Sequence, residues 1–117
     1  MNQPVPVFQP SDLERILARD YSGNVSEARS LVLGINTAPW RIDPLRVRIA
    51  CLKLGKGDLS QLINAIKAAQ RDWRDVLAWA EYSRYMGASG PEAKERAIEE
   101  DWRELQEWLT REQPVVS

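Results

Sequence analysis

The stretch DPLRVRIACLKL, residues 43–54, decides how the rest of the chain is read. Asp43 is a good N-cap and Pro44 suits the first helical position, so the segment opens a helix. At 100° per residue, Leu45, Ile49 and Leu52 share one face, while Val47, Ala50, Cys51 and Leu54 cover the opposite side. Arg46 with Lys53, and separately Arg48, point elsewhere. A helix that is apolar on two faces belongs between two layers, so residues 43–54 are expected to form the central element of a helical bundle. Arg48 then lies between apolar neighbours on both sides and should be partly buried against a carboxylate partner, because an unpaired buried charge is costly.

Working outward, LGKGD (54–58) ends this helix at Gly55 and restarts the chain at Asp58, a short connection that implies antiparallel neighbours. Leu59, Leu62, Ile63, Ile66 and Ala69 form the inner face of the next helix. The apolar phase continues through Trp73, Val76, Leu77 and Ala80, a pattern one helix from Asp58 to Met86 would satisfy. Asp72 and Asp75 read instead as a new N-cap and its acid, which favours a break near Arg71. The segment RDWRDVLAWAEYSRYM (71–86) holds two of the five tryptophans and two of the three tyrosines. Its Trp73, Val76, Leu77 and Ala80 face is core, and its second face, Trp79, Tyr82 and Met86, needs a cover. An amphipathic helix over 91–111, opened by Pro91 and carrying Ile98, Trp102, Leu105 and Leu109 with Trp108 beside them, supplies that cover.

On the other side, Pro4, Pro6 and Pro10 forbid helix, so residues 1–10 are expected to be an extended or disordered arm, with Val5, Val7 and Phe8 available to dock on the core. Ser11 and Glu14 stand at capping-box spacing, and Leu13, Ile16 and Leu17 make the stripe of a helix running to about Tyr21. Asn24 and Glu27 repeat the device for a helix with Val25, Ala28, Leu31, Val32 and Ile35 inside, ending near Gly34. The loop NTAPWRIDP (36–44) holds Trp40 and Arg41 in a non-helical connection. The expected fold is an all-α, single-domain bundle of about six helices over residues 11–112, with 113–117 a disordered tail.

The 117 residues match one domain, and a hydrophobic share of 44% is enough for one core. Such a chain buries roughly 65% of its unfolded surface and needs neither disulfides nor metals. One cysteine, Cys51, excludes an intrachain disulfide and fits a reducing compartment. The N-terminal residues lack the pattern of a signal peptide, and uncharged runs such as Ser30 to Trp40 span eleven residues, too few to cross a bilayer. A cytoplasmic location and no membrane contact are therefore expected. Residues 91–112 carry eight acids against four bases, a net charge of -4, which leaves +3 on the rest.

The segments DPLRVRIACLKLGKGDLSQLINAIKAAQRDWRDVLAWAEY (43–82) and AIEEDWRELQEWL (97–109) resemble a group of small bacterial all-helical proteins without an assigned function, over roughly the last two thirds of the chain. The resemblance implies a bacterial, cytoplasmic, helical protein. It rests on packing and capping residues and brings no catalytic or ligand residues with it.

The chain contains no histidine, which removes the commonest general base and metal ligand. Cys51 sits mid-helix without an imidazole partner and reads as a buried, inert thiol. Glu92, Glu95, Glu99 and Glu100 lack the histidines of di-metal bundles. Asp72 and Asp75 read as helix caps, and Glu81 as an ion-pair partner rather than an acid in an apolar setting. No catalytic, cofactor or metal site is expected, and the chain is read as no enzyme. The expected function is a protein-interaction or scaffolding module, with Trp40, Arg41, Trp79, Tyr82, Trp102 and Trp108 as contact residues and an unidentified protein or a second copy, paired through the C-terminal helix, as partner. The alternative is nucleic-acid or polyanion binding by segment 40–56, where Arg41, Arg46, Arg48, Lys53 and Lys56 face one acid, Asp43.

Overall fold

A computed structural model describes residues 4–38, 40 and 42–114. Among them are seven helices and no strand: α1 (Pro10–Asp20), α2 (Val25–Leu33), α3 (Pro44–Gly55), α4 (Leu59–Arg71), α5 (Trp73–Glu81), α6 (Ser83–Gly87) and α7 (Pro91–Thr110). The two-sided helix is central, with α3 packed against α1, α2, α4 and α5. It buries Val47, Ile49, Ala50, Cys51 and Leu52. The Asp43 carboxylate accepts the Leu45 N–H at 3.0 Å, as its N-cap position requires.

Gly55 closes α3 where three elements converge. A Cβ at that position would stand 2.3 Å from the Tyr21 Oη and 3.1 Å from the Leu62 Cα. The absence of a side chain therefore lets α4 and the end of α1 approach α3, and Tyr21 uses the space to donate its hydroxyl to the Leu52 carbonyl at 2.8 Å. Lys56 and Gly57 follow in the left-handed region and turn the chain into α4. The Asp58 carboxylate then accepts the N–H groups of Ser60 and Gln61.

The break near Arg71 is present. Asp72, in an extended conformation, is at once the C-cap of α4 and the N-cap of α5, where its carboxylate accepts the Arg74 N–H at 3.0 Å. A further break was not expected: Tyr82 leaves the helical region (φ -144°, ψ 43°) and separates α6 from α5, which raises the helix number to seven.

Two capping assignments differ from expectation. α1 starts at Pro10, whose fixed φ suits the first helical position, so Gln9 becomes the N-cap and the Asp12 carboxylate accepts the Gln9 N–H at 2.8 Å. Glu14 is thereby free to pair with Arg29 of α2, whose hydrogen bond holds the carboxyl below its ordinary range. Asn24 is the N-cap of α2, but its backbone (φ -143°, ψ 31°) lies outside the usual extended cap conformation and its side chain makes no capping bond. A backbone turn from the Asn24 N–H to the Tyr21 carbonyl, 2.8 Å, opens the helix instead.

The arm is extended and docked. Pro6 and Phe8 are buried, whereas Val5 and Val7 are 64% and 81% exposed, the alternation that an extended backbone imposes. On α7 the buried line is Ala97, Ile98, Asp101, Leu105 and Trp108, with Trp102 and Leu109 only partly covered. The expected stripe is thus rotated by an acid, Asp101, that points inward. Gln113 and Pro114 of the tail are non-helical and exposed, and 115–117 lie outside the described residues.

Candidate interaction surface

Three basic residues of segment 40–56, Arg46, Arg48 and Lys53, are directed separately into the fold. Arg46 grips the Glu81 carboxylate in bidentate fashion, with Nε at 3.0 Å from Oε2 and Nη2 at 2.6 Å from Oε1. Glu81 is therefore an ion-pair partner and offers no free acid. Arg48 is half-buried, but its partner is the Val32 carbonyl, which accepts from Nε at 3.0 Å. The expected carboxylate is replaced by the last turn of α2, whose carbonyls run out of intrahelical donors and carry the negative end of the helix dipole. Lys53 donates to the Ala80 carbonyl at 2.8 Å and stands 3.6 Å from Glu104. Burial lowers the Lys53 ammonium below its ordinary value, and Glu104 partly offsets that. Lys56 is exposed at the far end of α3, and Arg41 lies outside the described residues.

Arg19 was not singled out by the sequence, yet it is the most deeply buried cation described, 8% exposed. It is bidentate to Asp20, at 2.8 and 2.7 Å. Its Nη1 donates to the carbonyls of Trp108 and Arg111 at 2.6 and 2.9 Å, and its guanidinium lies 5.1 Å from the Trp108 ring centroid. The sequence carried no local signal for it: at 100° per residue Arg19 falls nearest to Asp12 and Arg15, at the edge of the stripe that Leu13, Ile16 and Leu17 bury.

Two of the groups with catalytic potential, Cys51 and Asp72, are held in structural roles. Burial pushes the Cys51 thiol up to about 12, so it is protonated at neutral pH. Asp72 caps α5 and Asp75 is exposed in the first turn of that helix. Glu92, Glu95 and Glu99 are exposed, and Glu100 stands 3.7 Å from Arg84.

The aromatic contact residues divide into core and surface. Trp108, 4% exposed, is core, packed beneath Arg19 and within 6.0 Å of the Lys53 ammonium. Trp40 is half-buried against the core, beside Ala69, Arg71 and Trp73. Tyr82 and Trp102 line one narrow cavity between α5 and α7. Trp79 and Met86 are 53% and 64% exposed, so α7 covers Tyr82 and leaves the other two members of the expected face open. Met86 lies beyond the Tyr82 break, in α6, and so no longer continues the helical face of Trp79. Trp79 instead borders a shallow trough with Leu54 of α3 and Gln61, Asn64, Ala65, Ala68 and Arg71 of α4. Comparison of the chain with protein-family models, with curated proteins and with solved structures finds no match.

Proposed function

We propose that this chain is a non-enzymatic protein-interaction module that docks a partner on the α3–α4–α5 face around Trp79. The exposure of Trp79 beside Leu54, Ala65 and Ala68 is the observation that carries this reading. The rim of the trough is neutral at Gln61 and Asn64, with Arg71 at one end, in a chain of which 28% is charged. An aromatic anchor, small apolar neighbours, few charges and one arginine are the composition of the centre of a protein interface. The partner it fits presents apolar side chains in a neutral setting.

The apolar stripe of α7 is a poorer candidate. Leu105 and Trp108 already fill the chain's own core, so pairing through that stripe would require undocking the helix. Polyanion binding by segment 40–56 is disfavoured by the internal partners of Arg46, Arg48 and Lys53.

The wild-type chain and the Trp79→Ala and Trp102→Ala variants are used as baits in a lysate of the source cells, and each protein retained is then titrated pairwise by calorimetry. The expected result is a partner whose affinity falls about 30-fold, some 2 kcal/mol, with Trp79→Ala, while the melting temperature of that variant stays near wild type. Partners that bind Trp79→Ala as well as wild type would sink the proposal. Binding of a labelled oligonucleotide at low salt would move the function to the basic segment.

A further inference from the structure

The chain's own arm forms one wall of the cavity between α5 and α7. Pro4 and Pro6 line it together with Tyr82, Trp102, Ile98 and Leu105. Pro6 is buried there, while Val5 and Val7 on either side point to solvent. Among the described residues, the backbone of 4–8 makes no hydrogen bond to the body of the protein. The arm is therefore held by apolar side chains alone, with Phe8 as the anchor nearest α1.

Every second residue of the arm, Pro4, Pro6 and Phe8, thus lines the cavity or the core, the two-residue period of an extended segment. A proline-rich segment is extended in advance, leaves its backbone solvated and presents flat pyrrolidine rings that pack against aromatic walls. Tyr82 and Trp102 are such walls. The two acids at the cavity are otherwise engaged, Glu81 with Arg46 and Asp101 with the backbone of α6, so the cavity selects for apolar shape rather than for a charged ligand.

We infer that the Tyr82–Trp102 cavity is a binding site for a proline-rich, extended segment of a partner protein, and that residues 4–6 occupy it in the resting chain. The tether gives the arm a high local concentration, so a free peptide competes poorly until the arm is loosened or a longer ligand displaces it. This site is separate from the Trp79 trough and stands or falls independently of it.

The probe is a fluorescein-labelled peptide copying residues 4–9, titrated against the full chain and against a full-chain Pro4→Ser, Pro6→Ser variant whose arm is weakened. The loosened variant is expected to bind the peptide about tenfold more tightly than wild type, and Trp102→Ala in that background to reverse the gain. A loosened variant that melts cooperatively yet binds no better than wild type would overturn the proposal, as would binding that survives Trp102→Ala. Sedimentation showing a wild-type dimer that the two proline substitutions dissolve would also overturn it, because the occupant would then be the arm of a second copy. If the loosened variant loses its cooperative transition, excess peptide is added to 15N- and methyl-labelled wild type. A shifted Trp102 indole resonance with narrowed Val5 and Val7 methyl signals supports the site, and unchanged spectra exclude it.

Discussion

The Asp101 carboxylate, in the middle of α7, accepts the backbone N–H of Tyr85 at 3.0 Å and that of Arg84 at 3.3 Å, and so caps α6 from a different element. A helix of five residues cannot meet its own N-terminal donors and is unstable alone. The Arg84 side chain closes the arrangement by donating to Asp101 at 3.2 Å and pairing with Glu104 at 2.6 Å. Asp101→Ala should cost about 1–3 kcal/mol and free the α6 amides. Urea denaturation with hydrogen exchange at Arg84 and Tyr85 checks it, and unchanged protection at those two amides would show that α6 needs no cap.

The Arg46–Glu81 pair joins α3 to α5 with side chains 17% and 6% exposed. Arg46→Ala alone, or Glu81→Ala alone, should destabilise by about 3–5 kcal/mol, because each leaves a desolvated charge without its partner. The double replacement Arg46→Met with Glu81→Leu should recover most of that loss. A double-mutant cycle in urea measures the coupling, and additive single effects would show that the two residues act separately.

Gly55→Ala should destabilise by about 1–3 kcal/mol, since the new methyl collides with the Tyr21 hydroxyl oxygen and crowds Leu62. Tyr21→Phe removes that oxygen. The alanine should therefore cost less in the phenylalanine background than in wild type, a difference readable from the two pairs of melting curves.

Alkaline pH should unfold the protein through Cys51. Burial raises the thiol from its ordinary 9.0 to about 12, so above pH 9 the unfolded state loses this proton while the folded state keeps it. The unfolded state then binds fewer protons, and stability falls with rising pH by about 1.4 kcal/mol per unit for this group up to about pH 12. Burial raises the Tyr21 hydroxyl in the same direction and adds to the fall above pH 10. Cys51→Ala should flatten the slope between pH 9 and 10, and a slope identical to wild type would show that the thiol is not the group responsible.

The helices were legible where the sequence carries a local signal. Asp43 with Pro44, Asp58 and Asp72 each announce a helix start through a side chain that reaches its own backbone, and each does so in the structure. The central place of α3 was legible because residues apolar on both sides leave a helix one position in a bundle. The hidden features depend on partners distant in sequence. The break at Tyr82 goes with Asp101, a residue that reads as one more acid on a charged helix but turns inward to cap α6. Arg48 finds a carbonyl rather than a carboxylate, and nothing local tells the two apart. Of the expected contact residues, Trp108 became core and Trp79 surface, since an aromatic residue at helical spacing does not disclose which neighbour will cover it.

The Arg19 guanidinium has a consequence for biosynthesis. Two of its acceptors, the carbonyls of residues 108 and 111, lie 89 and 92 positions downstream. On the ribosome, α1 emerges with a cation destined for the interior and waits until α7 has been made before those acceptors appear. A product truncated ahead of Trp108 would lack the ring that lies over that cation together with two of its acceptors, leaving Arg19 paired with Asp20 alone. The contact therefore joins the first helix to the last, and forms only once the polypeptide has been translated through α7.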